Sequence, residues 1–343
     1  MEYLESLNDK LDTINEDNVI YYNIFDYPEL IFGNINLASH NLNFSKLPKS
    51  LLTIANNNQL KDLKNLSHAS YGTRLRFHTE SDKIILKVEL KQEYCYEDIA
   101  CENANGFDVY RLDYDKYVHK TMISGKDNAC FADSIEFEEK DNDVCIFLPN
   151  FNTIKQLYVG VEKNYSVEEH AYLGHNKLPI IFCGNEYAIG LKASRSGNSY
   201  PNIVSKILDQ NILNLSYYNM NKATDYLAAM IGKYNCECII LDYNGINIDK
   251  KEYKESFENF YNKLRIFHPN KQIIVLTSLF NDDEEYNKII YDFYKEKSET
   301  DDNIKLIDKK DILRKNDIEI DDKNHDNILN ILAQEICGLM KKY

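Results

Sequence analysis

The chain has no tryptophan, 12 glycines and 6 prolines among its 343 residues. So little of either backbone-breaking residue excludes a collagen-like or low-complexity chain. No Cys-x-x-Cys pair occurs, and the spacings of Cys95, Cys101, Cys130, Cys145, Cys183, Cys236, Cys238 and Cys337 fit no zinc module. No uninterrupted apolar stretch is long enough to cross a bilayer. The opening residues, MEYLESLNDKLDTINED, have neither the basic start nor the apolar core of a secretory signal. Without one, the cysteines are expected to be reduced thiols in a cytoplasmic protein. Cys236 and Cys238 flank one residue at a strand start, so they share a face and are expected to pack in a core. Positive charge is also scarce. With 40 basic and 55 acidic residues the formal net charge is −15, which argues against nucleic acid or an anionic membrane surface as the main partner.

What is present is a soluble-protein composition with two rhythms. From about Tyr21 to Val167 the pattern has period two. TRLRFHTE (73–80), KIILKVEL (83–90), GFDVYRLDYDKYVHK (106–120), DVCIFLP (143–149) and KQLYVGVE (155–162) are separated by turn-like segments. Several strands with little helix between them predict an antiparallel β-sandwich. A helical arm over residues 1–20 and a short helix near Lys49 to Asn57 are expected as additions.

From Leu178 apolar runs alternate with helical stretches. LPIIFCG (178–184) precedes a helix over 200–208, NILNL (211–215) one over 223–234, and CIILD (238–242) one over 250–267. KQIIVLTS (271–278) precedes a helix over 282–297, and IKLID (304–308) a closing helix over 327–341. Such alternation predicts an α/β domain over 178–343: a parallel sheet between helical layers, with any site at the carboxyl ends of its strands. The expected order is thus the arm, a sandwich over 21–167, and this domain.

The turn after the first of these strands is where chemistry is expected. A phosphate loop needs Gly-Lys-Ser/Thr at its close, but Gly190 is followed by Leu191 and Lys192. The G-x-G-x-x-G spacing of a dinucleotide site is absent. A strand-to-helix nucleophile turn fits. GNEYAIGLKASRSGNSYP (184–201) resembles GSSITQGGCASRPGNAYP, typical of one branch of the SGNH/GDSL hydrolases. Without a gap, Gly184, Gly190, Ala193, Ser194, Arg195, Gly197, Asn198, Tyr200 and Pro201 coincide. That branch carries a jelly-roll-like β-sandwich before a three-layer α/β/α hydrolase domain, and GTRLRFHTESDKIILKVEL and GFDVY resemble its sandwich strands.

The resemblance implies ester chemistry by a serine, a histidine near the C-terminus and an aspartate three residues before it, with an oxyanion held by backbone and asparagine donors. The aspartate and histidine carry over to Asp322 and His325. The serine's place holds Glu186, preceded by Asn185. The glycine after the second strand carries over to Ser216. The third-block asparagine falls on Ile246, with Asn247 and Asn244 the nearest side chains to replace it. A carboxylate attacking an ester would give an uphill anhydride and would set negative charge where an oxyanion must form.

The expected function is therefore a degenerate hydrolase-like protein that binds a glycan, an acylated small molecule or a partner without ester hydrolysis. An active esterase or acyltransferase with rearranged residues, and a scaffold, are the alternatives; a homo-oligomer is compatible with each. Ser194, Ser196 and Ser199 are the other serines of the loop. Glu186, His325 and Asp322 form an expected charged cluster, and they are residue types able to ligate a metal. No spacing demands a metal, and no cofactor is expected. Arg195 and Asn185 are candidate ligand contacts; for Arg195, pairing with an acid beneath the loop is the competing role.

Overall fold

The structure is a computed structural model. It describes residues 16–35, 44, 46, 68–91, 98–114, 116–126, 128–173, 177–217, 224–243, 248–278, 284–320 and 324–340. The described residues up to 46, from 68 to 173 and from 193 to 197 form one compact unit; those of 177–192 and 198–340 form a second. The expected helix near 49–57 and the arm up to residue 15 lie outside the described residues. Residues 19 and 20, assigned above to that arm, instead open a strand.

In the first unit the strands are β1 (Val19–Asn23), β2 (Ile31–Phe32), β3 (Arg74–Thr79), β4 (Lys83–Leu90), β5 (Phe107–Asp113), β6 (Lys116–Ile123), β7 (Cys130–Glu136), β8 (Asn142–Phe147), β9 (Ile154–Glu162) and β10 (Glu168–Glu169). A short helix, α1 (Cys101–Asn105), precedes β5. Every pairing is antiparallel, in the orders β1-β9-β4-β7 and β10-β3-β8-β5-β6, with β2 also on β3. Alternate side chains of both sheets build one core, among them Leu75, Phe77, Ile84, Leu86, Val109, Ile146, Val159 and Val161. Removing that apolar surface from water is the main stabilising term of the sandwich.

The stretch 106–120 is a hairpin, β5 and β6, and not one strand. Its turn includes Tyr114 at φ 58°, a residue type that carries no turn signal. Cys101 is disulfide-bonded, which corrects the expectation of reduced thiols throughout. A disulfide requires only that two Cα atoms come close, a condition that spacing in sequence does not reveal. Cys130, Cys145, Cys183, Cys236, Cys238 and Cys337 are free, and Cys236 and Cys238 are buried as expected.

The second unit is built on β11 (Ile180–Gly184), β12 (Ile212–Asn214), β13 (Cys238–Asp242), β14 (Gln272–Leu276) and β15 (Ile304–Ile307). All pairings are parallel, in the order β12-β11-β13-β14-β15. β11 and β13 are buried along their whole length, as a sheet covered on both faces requires. Its helices are α2 (Glu186–Ile189), α3 (Tyr200–Leu208), α4 (Thr224–Ile231), α5 (Lys250–Phe267), α6 (Glu284–Lys297), α7 (Lys309–Lys315) and α8 (His325–Met340). α3 packs with α8, while α4 and α6 pack with α5, giving two helical layers around the sheet. α7 was not anticipated: seven residues are too few for a clear helical period, and its start rests on Asp308 accepting from the amides of Lys310 and Asp311. Among the described residues no helix is long and apolar enough to cross a membrane.

Candidate functional site

The carboxyl end of β11 begins with a close approach. A methyl group on Gly184 would lie 2.7 Å from Ala188 Cβ and 2.9 Å from Asp242 Cβ, so only glycine lets α2 fold back beside β13. Asn185 caps α2, its Oδ1 accepting from Tyr187 N at 3.1 Å, while its buried Nδ2 has no partner. Glu186 is therefore the first helical residue after the strand, half-buried. Burial pushes its carboxyl above the usual range. Its own backbone amide opposes that shift, and the charge of Asp242 adds to it. The Tyr187 phenol is pushed up to about 12, by burial first and then by the charges of Glu186 and Asp242.

Asp242, at the end of β13, is the buried anchor of this end of the sheet. Lys309 Nζ donates to its Oδ1 at 2.6 Å and Tyr200 OH to its Oδ2 at 2.9 Å, and all three residues are buried. Burial and Asp242's charge raise the Tyr200 phenol well above its ordinary value. Lys309 is held in turn by its amide, which donates to Thr277 Oγ1 at 3.0 Å. At the end of β12, Asn214 Nδ2 donates to Ala188 O at 2.7 Å, and its Oδ1 accepts from Ser216 N at 3.2 Å. The Ser216 amide, expected as an oxyanion donor, is thus engaged within its own loop.

His325 opens α8, half-buried, and its neighbour Asp326 accepts from Asn198 Nδ2 at 3.0 Å. Asp322, Asn244 and Asn247 lie outside the described residues. Ser194 is exposed, whereas Ser196 and Ser199 are buried; Ser196 Oγ donates to Gly106 O and Phe147 O, both at 3.2 Å. Among the described residues no group of three or more His, Cys, Asp or Glu is placed to hold a metal.

Arg195 belongs to the first unit, where its Nε donates to Asp108 Oδ2 at 2.9 Å. That same buried oxygen accepts from Gly197 N at 3.1 Å and Tyr110 OH at 3.0 Å, and His119 Nε2 stands 2.9 Å from Oδ1. A methyl group on Gly197 would sit 2.3 Å from Asp108 Oδ2, so this position also needs glycine. Arg195 therefore has the acid partner foreseen for its structural role. Sequence reasoning missed Lys309 and the engagement of Asp242 and Asn214. Tyr200 and Asp242 stood in recognisable blocks, but Lys309 carried no signal, because its reach to Asp242 depends on β15 lying two places from β13 in the sheet, across β14.

The comparisons follow this division. Residues 19–167 match the GxDLY family, described as the N-terminus of the SGNH-hydrolase esterase type. Residues 177–336 match the GDSL-like lipase/acylhydrolase family. The chain belongs to the SGNH/GDSL hydrolases. In this SGNH/GDSL chain the GxDLY letters read Gly106-Phe107-Asp108-Val109-Tyr110, and the contacts above show what its aspartate and tyrosine do: they hold Arg195 and Gly197.

A GDSL-like protein from Bacteroides ovatus is similar at a TM-score of 0.76 and 19% identity, over 95% of this chain and 98% of that one. A salicylyl-acyltransferase from a tetracycline biosynthetic pathway is similar at 0.70 and 14%, over 95% and 97%. A family two carbohydrate esterase from Cellvibrio japonicus is similar at 0.58 and 11%, over 94% and 98%. At these identities the likeness is one of fold. No curated protein matches the chain in sequence.

Proposed function

We propose that this SGNH/GDSL chain binds a ligand at the carboxyl end of β11 without hydrolysing an ester. The observation that carries the reading is Glu186, half-buried at the first helical position after β11, where the resemblance puts a nucleophilic serine. A carboxylate there disfavours both steps of acyl transfer. Its attack yields an anhydride, and its charge opposes the oxyanion. One neighbouring feature supports the reading: the Ser216 amide is taken by Asn214 Oδ1.

The ligand class suggested by the relatives is a glycan or an acylated small molecule, since they include a carbohydrate esterase and an acyltransferase. The test is p-nitrophenyl acetate hydrolysis and fluorophosphonate labelling, beside a Glu186→Ser variant. The natural chain is expected to be inert in both assays; turnover or a labelled serine in it would sink the reading.

A further inference from the structure

Helix α1 is five residues long, and Ala100 at its start offers no side-chain cap. A helix this short does not hold itself together. Its first residue, Cys101, is disulfide-bonded, so a covalent tie fixes the end where a capping side chain is missing. The Cys101 sulfur also accepts from Asn105 Nδ2 at 3.9 Å.

What α1 holds in turn is polar and buried. Asn103 Oδ1 accepts from Asn150 Nδ2 at 2.8 Å, and Asn103 O accepts from the Asn150 amide at 3.0 Å. Asn105 Oδ1 accepts from Asn152 Nδ2 at 2.8 Å. These four carboxamides are at most 2% exposed. Asn150 Nδ2 donates as well to Ser196 O at 3.3 Å. Ser196 Oγ donates at 3.2 Å to the carbonyl of Gly106, the residue that ends α1. The neighbours of Ser196, Arg195 and Gly197, are bound by Asp108, two residues further along the chain. Cys101 is thus joined to residues 195–197 through α1 and a short run of buried hydrogen bonds, all inside the first unit. A buried carboxamide that loses its partner is costly, so these groups open together and not singly.

We propose that the Cys101 disulfide is a redox-operated clamp on residues 195–197. Oxidised, it fixes α1, which holds Asn150 and through it Ser196. A dithiol reductant opens it. A thiolate of the reductant attacks one sulfur, the S–S bond breaks, and the second thiol of the reductant closes its own disulfide. Cys101 and its partner cysteine are left as two thiols. Cys101 is half-buried and not enclosed. Once the tie is gone, α1 opens locally more often, and the bond from Asn150 to Ser196 opens with it. The inference stands apart from the proposed function, since it concerns how firmly residues 195–197 are held and not what the turn binds.

Amide hydrogen exchange of the full chain, with and without dithiothreitol, tests it. The probes are the Ala104 amide, which donates to Ala100 O within α1, and the Gly197 amide, which donates to Asp108. They are read over exchange times in which β9 stays protected. Reduction is expected to speed exchange at both by about tenfold and to leave β9 protected. Cys101→Ser should exchange fast without reductant and not respond to it. Asn150→Ala should keep the response at Ala104 and lose most of it at Gly197. If that variant does not fold, the two rates in the natural chain decide the matter alone.

The proposal is overturned if Gly197 exchanges at one rate in both redox states, whatever Ala104 does. It is overturned equally if β9 loses protection alongside them, which is a general loss of stability and not a clamp. A full response at Gly197 in a folded Asn150→Ala variant also overturns it, because the coupling then does not run through Asn150.

Discussion

Asp108 and Asp242 are both buried carboxylates, and each is tolerated only because donors surround it. Asp108 takes a guanidinium, a backbone amide and a phenol; Asp242 takes an ammonium and a phenol. Lys309→Met strands a negative charge at the end of β13 and is expected to cost about 3–5 kcal/mol in denaturant unfolding. The double variant Asp242→Asn/Lys309→Met should lose less than Lys309→Met alone, since no buried charge is left. Glu186 has the opposite character, a half-buried acid whose carboxyl is held above its ordinary range. Below the ordinary carboxyl range it is protonated in folded and unfolded chains alike and carries no penalty. As pH rises through that range, the unfolded chain gives up its proton first, so stability falls until the raised folded value is passed. Glu186→Gln should remove this loss and leave the chain more stable at neutral pH, as read from unfolding midpoints across the pH range. The residue-level pattern of the turn was legible because nine residues fit one frame without a gap. The partners were not, because Lys309 and Asp242 are 67 residues apart and meet only once β13 and β14 lie side by side with the start of α7 beyond β15.

At the scale of elements, the clearest strands were those buried on both faces. IIFCG and CIILD read as unbroken apolar runs and became β11 and β13, and the helix expected over 200–208 is α3. β7 was missed because CFADSIE is partly exposed and mixes polar with apolar side chains, so its period of two is faint. The β5–β6 turn was missed because Tyr114 supplies a left-handed backbone without glycine or asparagine. The strand-to-helix connection at Gly184 is the element on which the site depends. Gly184→Ala places a methyl group 2.7 Å from Ala188 Cβ and 2.9 Å from Asp242 Cβ, so α2 or β13 must shift. Overpacking of this kind costs about 1–3 kcal/mol, and thermal unfolding of the variant should show it. The same shift moves Glu186 relative to Asp242, so the Glu186 carboxyl pKa should change in Gly184→Ala as well.

At the scale of the whole molecule, a sandwich and a parallel-sheet unit were both foreseen from the change of period, since each sheet type writes its burial into the sequence differently. The redox state was not, because closeness of two cysteines in space leaves no mark in spacing. The disulfide at Cys101 predicts that reduction lowers the unfolding midpoint of the intact chain, by about 2 kcal/mol of stability, and that Cys101→Ser is insensitive to reductant. It also means that a cytoplasmic location does not follow from the cysteines. The central claim is that a carboxylate has replaced the nucleophile and turned a hydrolase fold to binding. Fluorophosphonate labelling followed by peptide mapping tests it most directly. The account predicts no modified serine in the natural chain, whereas a serine of the 184–201 turn carrying the label would contradict it.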